Sequence, residues 1–104
     1  MATVTERFAE VDAKITKALE AVEGDAGASP VLAAVVQEFQ RKAAKAQGAL
    51  GGGDAAAREA VVELEQAGDS AKYAAEADPG IGDGTRQAVE DAHLAICVLK
   101  AKWD

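Results

Sequence analysis

The chain has 104 residues, the size of one domain, with 49% hydrophobic and 28% charged residues. Alanine supplies 26 of the 51 hydrophobic residues, while Val, Leu, Ile and Phe together make only 21, so the large side chains available for a core are few. Eleven basic against eighteen acidic residues leave a net charge of −7, which excludes a broad electrostatic footprint for nucleic acid or an anionic membrane, and a single cysteine excludes an intrachain disulfide framework.

Glycine and proline punctuate the chain at 24–30, 51–53 and 78–84, which hold eight of the ten glycines and both prolines. The four stretches between them run to about 20 residues each and are rich in Ala, Glu, Lys, Arg and Gln, the strong helix formers. Helix one is expected over 4–23. Thr3 and Glu6 stand at capping-box spacing, and Val4, Phe8, Val11, Ile15, Ala18 with Leu19, and Val22 recur in steps of four and three. Helix two is expected over 30–49. Ser29 is its cap, Pro30 fills the first position where a missing N–H costs nothing, and Leu32, Val35 with Val36, Phe39, Ala43, Ala46 and Leu50 form its stripe.

Helix three is expected over 54–77, capped by Asp54, with the stripe Ala57, Val61, Leu64, Gly68, Ala71 and Ala75. Its weak point is Gly68-Asp69-Ser70, which could break the helix but reads better as a glycine that admits a neighbour at close range. Helix four is expected over 85–103, capped by Asp83 or Thr85, with the stripe Val89, Ala92, Ile96, Leu99 and Trp103. No stretch alternates with period two, and no internal repeat stands out beyond the shared heptad rhythm.

Four amphipathic helices with short connections predict an all-α, up-down-up-down antiparallel four-helix bundle, a single domain over 1–104. The three-glycine connection forces helices two and three to lie antiparallel. Layers of the bundle would join Val4, Leu50, Ala57 and Trp103 at one end, Ile15, Phe39, Leu64 and Ile96 in the middle, and Val22, Leu32, Ala75 and Val89 at the other end. Helix two carries net +2 and helix three net −4, so these neighbours attract.

Helix four has more than one apolar face. Leu94 and Val98, with Ala101 one turn on, lie off the core stripe, and every residue from Leu94 to Leu99 is apolar. A helix in so small a bundle cannot be central, so the extra face predicts an interface, most simply a two-fold homodimer. The run Leu94–Leu99 is six residues, against roughly 20 for a membrane span. The first residues lack a basic stretch followed by an apolar one, so no signal peptide is expected and a cytoplasmic protein is the default.

Chemistry-bearing residues are sparse. His93, the single histidine, shares a helix face with Glu90 three residues before it, Cys97 four after it, and Lys100. Glu90-x-x-His93 matches half of a di-iron motif, and His93 with Cys97 is half of a two-His, two-Cys zinc site, so either metal would need a symmetric dimer. The alternative is a part-buried histidine beside a small thiol at the core edge. A lone histidine on a bundle of this size resembles the histidine phosphotransfer modules, yet Ile96 and Cys97 stand where those modules carry lysine and glycine. Gly80-Ile81-Gly82-Asp83-Gly84-Thr85 precedes a helix but has no preceding strand and no lysine, and reads as a flexible connection. No Ser–His or Cys–His set has a third member.

The expectation is therefore a non-catalytic helical interaction or structural module without a cofactor, self-associating through Leu94, Val98 and Ala101. The rival is a metal- or cofactor-binding bundle built on Glu90, His93 and Cys97.

Overall fold

Each apolar stripe forms one continuous helix: α1 Val4–Glu23, α2 Pro30–Ala49, α3 Asp54–Glu76 and α4 Asp83–Trp103, in a computed structural model that describes residues 4–103. Among the described residues there is no strand. Contacts run α1–α2, α2–α3, α3–α4 and α4–α1, the square arrangement of an antiparallel four-helix bundle, 41 × 24 × 18 Å across. The long axis follows from helices of 20 to 23 residues at about 1.5 Å rise each, with a loop at each end.

The core is built as the stripes dictate. Ile15, Phe39, Leu64 and Ile96 are fully buried in the middle, and Val22, Leu32, Ala75 and Val89 are buried towards the end that carries the α1–α2 and α3–α4 loops. At the opposite end Ala57 is buried and Leu50 half-buried, while the side chains of Val4 and Trp103 lie outside the described set, as does Thr3 of the expected capping box. The charge match between α2 and α3 is realised by Glu63, whose carboxylate accepts hydrogen bonds from Lys42 Nζ (3.1 Å) and Lys45 Nζ (3.1 Å), and both cations hold the Glu63 carboxyl below its ordinary range.

Gly68 does not break α3. A Cβ placed there would sit 3.0 Å from Phe39 Cζ and 3.2 Å from Ile96 Cγ2, so the missing side chain lets α2 and α4 both close on α3 at mid-height. Ser70 stays helical, its Oγ donating to the Gln66 carbonyl (3.2 Å).

The caps are partly corrected. Ser29 caps α2 as expected: its backbone is extended, its Oγ accepts from Leu32 N–H (3.2 Å), and Pro30 follows. Asp54 does not cap α3. Gly53, at φ +103°, holds that position with no side-chain cap, and Asp54 falls inside the first turn. The fourth helix begins at Asp83, two residues earlier than expected, so Asp83 and Thr85 lie inside its first turn and its N-terminus is closed from elsewhere.

That closure comes through space. Asp25, in the α1–α2 loop, accepts from Gly82 N–H (2.9 Å) and Thr85 Oγ1 (2.7 Å) at the start of α4. In return Asp78, in the α3–α4 loop, accepts from Ser29 N–H (2.8 Å) at the start of α2. Each also braces its own loop, Asp25 through Gly27 N–H (2.9 Å) and Asp78 through Gly80 N–H (3.1 Å). The loops touch backbone to backbone: a Cβ on Gly27 would overlap the Gly80 carbonyl, and one on Gly80 would lie 2.5 Å from the Gly27 carbonyl oxygen. The segment 80–85, expected to be a flexible connection, is thus tied down, with Ile81 buried beneath it.

These bonds hold both carboxyls below their ordinary value near 3.8, Asp25 chiefly through Gly82 N–H and Asp78 chiefly through Ser29 N–H. A folded-state value below the unfolded one contributes stability above the unfolded value and loses it as pH falls through the folded value. The urea midpoint of the Asp25→Ala, Asp78→Ala double variant is therefore expected below that of the parent at pH 7. The gap should close as pH drops below about 4; a gap independent of pH would contradict the cross-capping.

Candidate functional site

Two places bring together the residues singled out in the sequence. The first lies where α4 crosses the Gly68 notch of α3. His93, its side chain 18% exposed, places Nε2 2.7 Å from Asp69 Oδ1. Cys97, one turn on, places Sγ 3.6 Å from the same Nε2 and 4.0 Å from Nδ1. Lys100 turns away to donate to Glu65 Oε1 (2.8 Å), which raises its pKa. Glu90 is half-buried, and no hydrogen bond joins it to His93 or Cys97.

Asp69, His93 and Cys97 thus stand in series, but the thiol is poorly placed for activation. A nucleophilic thiol needs a ring nitrogen free to take its proton and a third group on the other nitrogen. Here the shorter approach of Sγ (3.6 Å) is to the nitrogen that Asp69 already holds; with Nε2–H donated to Asp69, the lone pair is on Nδ1, 4.0 Å from Sγ, too far for a close hydrogen bond. Burial pushes the Cys97 thiol up, the Glu65 and Asp69 carboxylates add to the shift, and Lys72 and Lys100 oppose it. Alkylation of Cys97 at pH 7.5 is accordingly expected to run several-fold slower than that of a free cysteine and to speed up as pH rises. Labelling at the free-thiol rate would overturn this description of its surroundings.

The carboxylate that meets His93 is Asp69 of α3 and not Glu90 of its own helix face. Among the described residues no group of three or more His, Cys, Asp and Glu side chains is placed to hold a metal ion. Asp69 carries no signal of its own in the sequence, where it is a polar residue beside a mid-helix glycine. Folding the α3–α4 hairpin about its loop would have set residue 69 opposite 93.

The second place is an open groove of about 290 Å³ between α1 and α4. Leu94 and Val98 form its apolar wall on α4, 61% and 41% exposed, and Ala101 is exposed one turn further on. Neither α1 nor α3 curls over them. The charged rim consists of Arg7, Glu10 and Lys14, at successive turns of α1, and Asp91 of α4, whose Oδ1 accepts from Gln87 Nε2 (2.8 Å). Two cations and two anions leave this rim neutral on a chain of net −7. Val31 on α2 and Tyr73 on α3, each 68% exposed, are the other large apolar side chains left open among the described residues, and both lie off the apolar stripes of their helices.

No helix among the described residues is long and apolar enough to cross a membrane. Comparison of the chain with family models, curated proteins and solved structures finds no match.

Proposed function

We propose that this chain is a non-catalytic helical module that pairs with a second copy of itself through the α4 face of Leu94 and Val98, with Ala101 at its edge. The observation that carries this reading is the exposure of Leu94 and Val98 along a groove that the chain's own helices leave open. A two-fold contact must be self-complementary, each patch meeting its own copy. The rim supports that: Arg7 and Lys14 on the α1 bank suit Glu10 and Asp91 of a second copy, whereas most of the remaining surface of a −7 chain would repel it. The lone thiol fits a reducing compartment such as the cytoplasm.

A metal-binding role for Glu90, His93 and Cys97 draws no comparable support, since Asp69 already takes His93 Nε2 and Glu90 stands apart. Native mass spectrometry of the purified chain at micromolar concentration tests both readings at once. The expected result is a dimer of unadorned chains. A monomer at every concentration ends the self-association reading, and stoichiometric zinc or iron would replace it with the metal one.

A further inference from the structure

The two hairpins, α1–α2 and α3–α4, are the same device used twice. A shift of 53 residues carries Asp25 onto Asp78 and Gly27 onto Gly80, the pairs that lock the loops. The same shift carries the end of α1 at Glu23 onto the end of α3 at Glu76, and the start of α2 at Pro30 onto the start of α4 at Asp83. Every buried position of the first hairpin lands on a buried position of the second, including Ile15 on Gly68, Phe39 on Ala92 and Ala43 on Ile96.

The side chains at those equivalent positions are not equal in size, and that asymmetry decides who pairs with whom. Phe39 of the first hairpin closes on the bare Cα of Gly68 in the second. Two first hairpins brought together would set Phe39 against Ile15, the equivalent of Gly68, and overfill the middle layer. Two second hairpins would set Ala92 against Gly68 and leave it hollow. The first hairpin therefore fits the second and not itself.

What joins the halves is slight. Leu50 at the end of α2 is still in helical conformation, followed only by Gly51, Gly52 and Gly53. A Cβ on Gly51 or Gly53 would meet nothing within 4 Å, and Gly53, at φ +103°, is the one described residue in the left-handed half of backbone space. No buried side chain anchors the turn. Packing between the hairpins, α2 on α3 and α1 on α4, is more extensive than packing within them, and the Asp25 and Asp78 caps also run from one hairpin to the other.

We propose that the inter-hairpin face is an exchangeable docking surface whose alternative partner is the complementary hairpin of a second copy, reached when residues 50–53 straighten and α2 runs on into α3. Every contact between hairpins is then remade between chains. The closed monomer is held by three glycines, residues that, proline apart, most disfavour continuing a helix and that most tolerate the turn.

The test is the full chain carrying Gly51→Ala, Gly52→Ala and Gly53→Ala, with Leu94→Glu and Val98→Glu added to remove the α4 face dimer. Alanine favours the straight form at each position and is strained at φ +103°, so the dimer-to-monomer ratio should rise by about 100-fold or more. A continuous helix over 30–76 measures about 70 Å, against a 41 Å long axis for the monomer, so small-angle scattering should give a maximum dimension above about 70 Å. A folded monomer, or a dimer no longer than the bundle, overturns the proposal. Should the triple variant lose its helical signal, deletion of Gly51 and Gly52 decides instead: a connection too short to turn should give an obligate long dimer, and a folded monomer or an unfolded chain overturns the proposal. Because the α4 face is disabled throughout, the outcome is separate from that of the self-association reading.

Discussion

Replacing Phe39 by alanine is expected to destabilise the bundle by about 3–5 kcal/mol in urea unfolding followed by far-UV circular dichroism. For a domain whose total stability is of order 5–15 kcal/mol, that takes much of the margin. Phe39 is fully buried, one of only two phenylalanines in a core otherwise made mainly of Ala, Val, Leu and Ile. Its ring meets α3 at Gly68, where a Cβ would lie 3.0 Å from Cζ and 3.4 Å from Cε1. Gly68→Ala alone sets two effects against each other: about 1 kcal/mol of helix propensity gained, and about 1–3 kcal/mol of overpacking lost. The net expected change is a loss of up to about 2 kcal/mol. In the Phe39→Ala background the ring is gone and only the 3.2 Å approach to Ile96 Cγ2 remains, so the same Gly68→Ala change should stabilise, by up to about 1 kcal/mol. The sign reversal is the decisive readout. Additive effects would mean that the ring and the glycine do not meet.

This pair also marks how far the sequence carries. Four helices, their antiparallel order and the middle layer follow from stripes such as Val61, Leu64, Gly68, Ala71 and Ala75, because a 3.5-residue repeat leaves each helix only one way to turn inward. The role of Gly68 as a point of close approach is legible for the same reason: it lies on the stripe, not off it. The cross-capping of Asp25 and Asp78 is not legible. Each partner is about 50 to 60 residues away, and a single aspartate in a glycine-rich loop looks alike whether it braces its own turn or a neighbouring helix. Asp54 shows the reverse failure. It has the right type and place for a cap, but the three glycines before it let Gly53 take the position.

At the candidate sites the division is similar. The outward face of α4 could be read from Leu94 and Val98 alone, since their angle around the helix depends only on local geometry. The carboxylate at His93 needs the register of the α3–α4 hairpin as well, because it comes from α3. Glu90 has the spacing of a partner, yet Asp69 occupies the place. Residues on one helix share a face by arithmetic, whereas their contacts are fixed by the register between helices.

The second large effect concerns that α4 face. Leu94→Glu with Val98→Glu is expected to weaken self-association by 100-fold or more, read as the dissociation constant from sedimentation equilibrium. Burying such side chains contributes about 1.5–3 kcal/mol each when complete, and a two-fold contact uses every residue twice. Even the part of each still exposed, 61% and 41%, doubled across the axis, exceeds the roughly 2.7 kcal/mol that 100-fold requires. Four added carboxylates then face each other on chains already at −7. The fold itself should respond less, because Leu94 mostly faces water and the methylenes of a glutamate replace part of the Val98 contact in the single chain; the unfolding free energy of the monomer in urea is expected to fall by no more than about 1–2 kcal/mol. That combination separates an interface from a misplaced core. A large loss of monomer stability would mean that α1 or α3 covers Leu94 and Val98 after all, and an unchanged dissociation constant would move the contact to another face, such as that bearing Val31 and Tyr73.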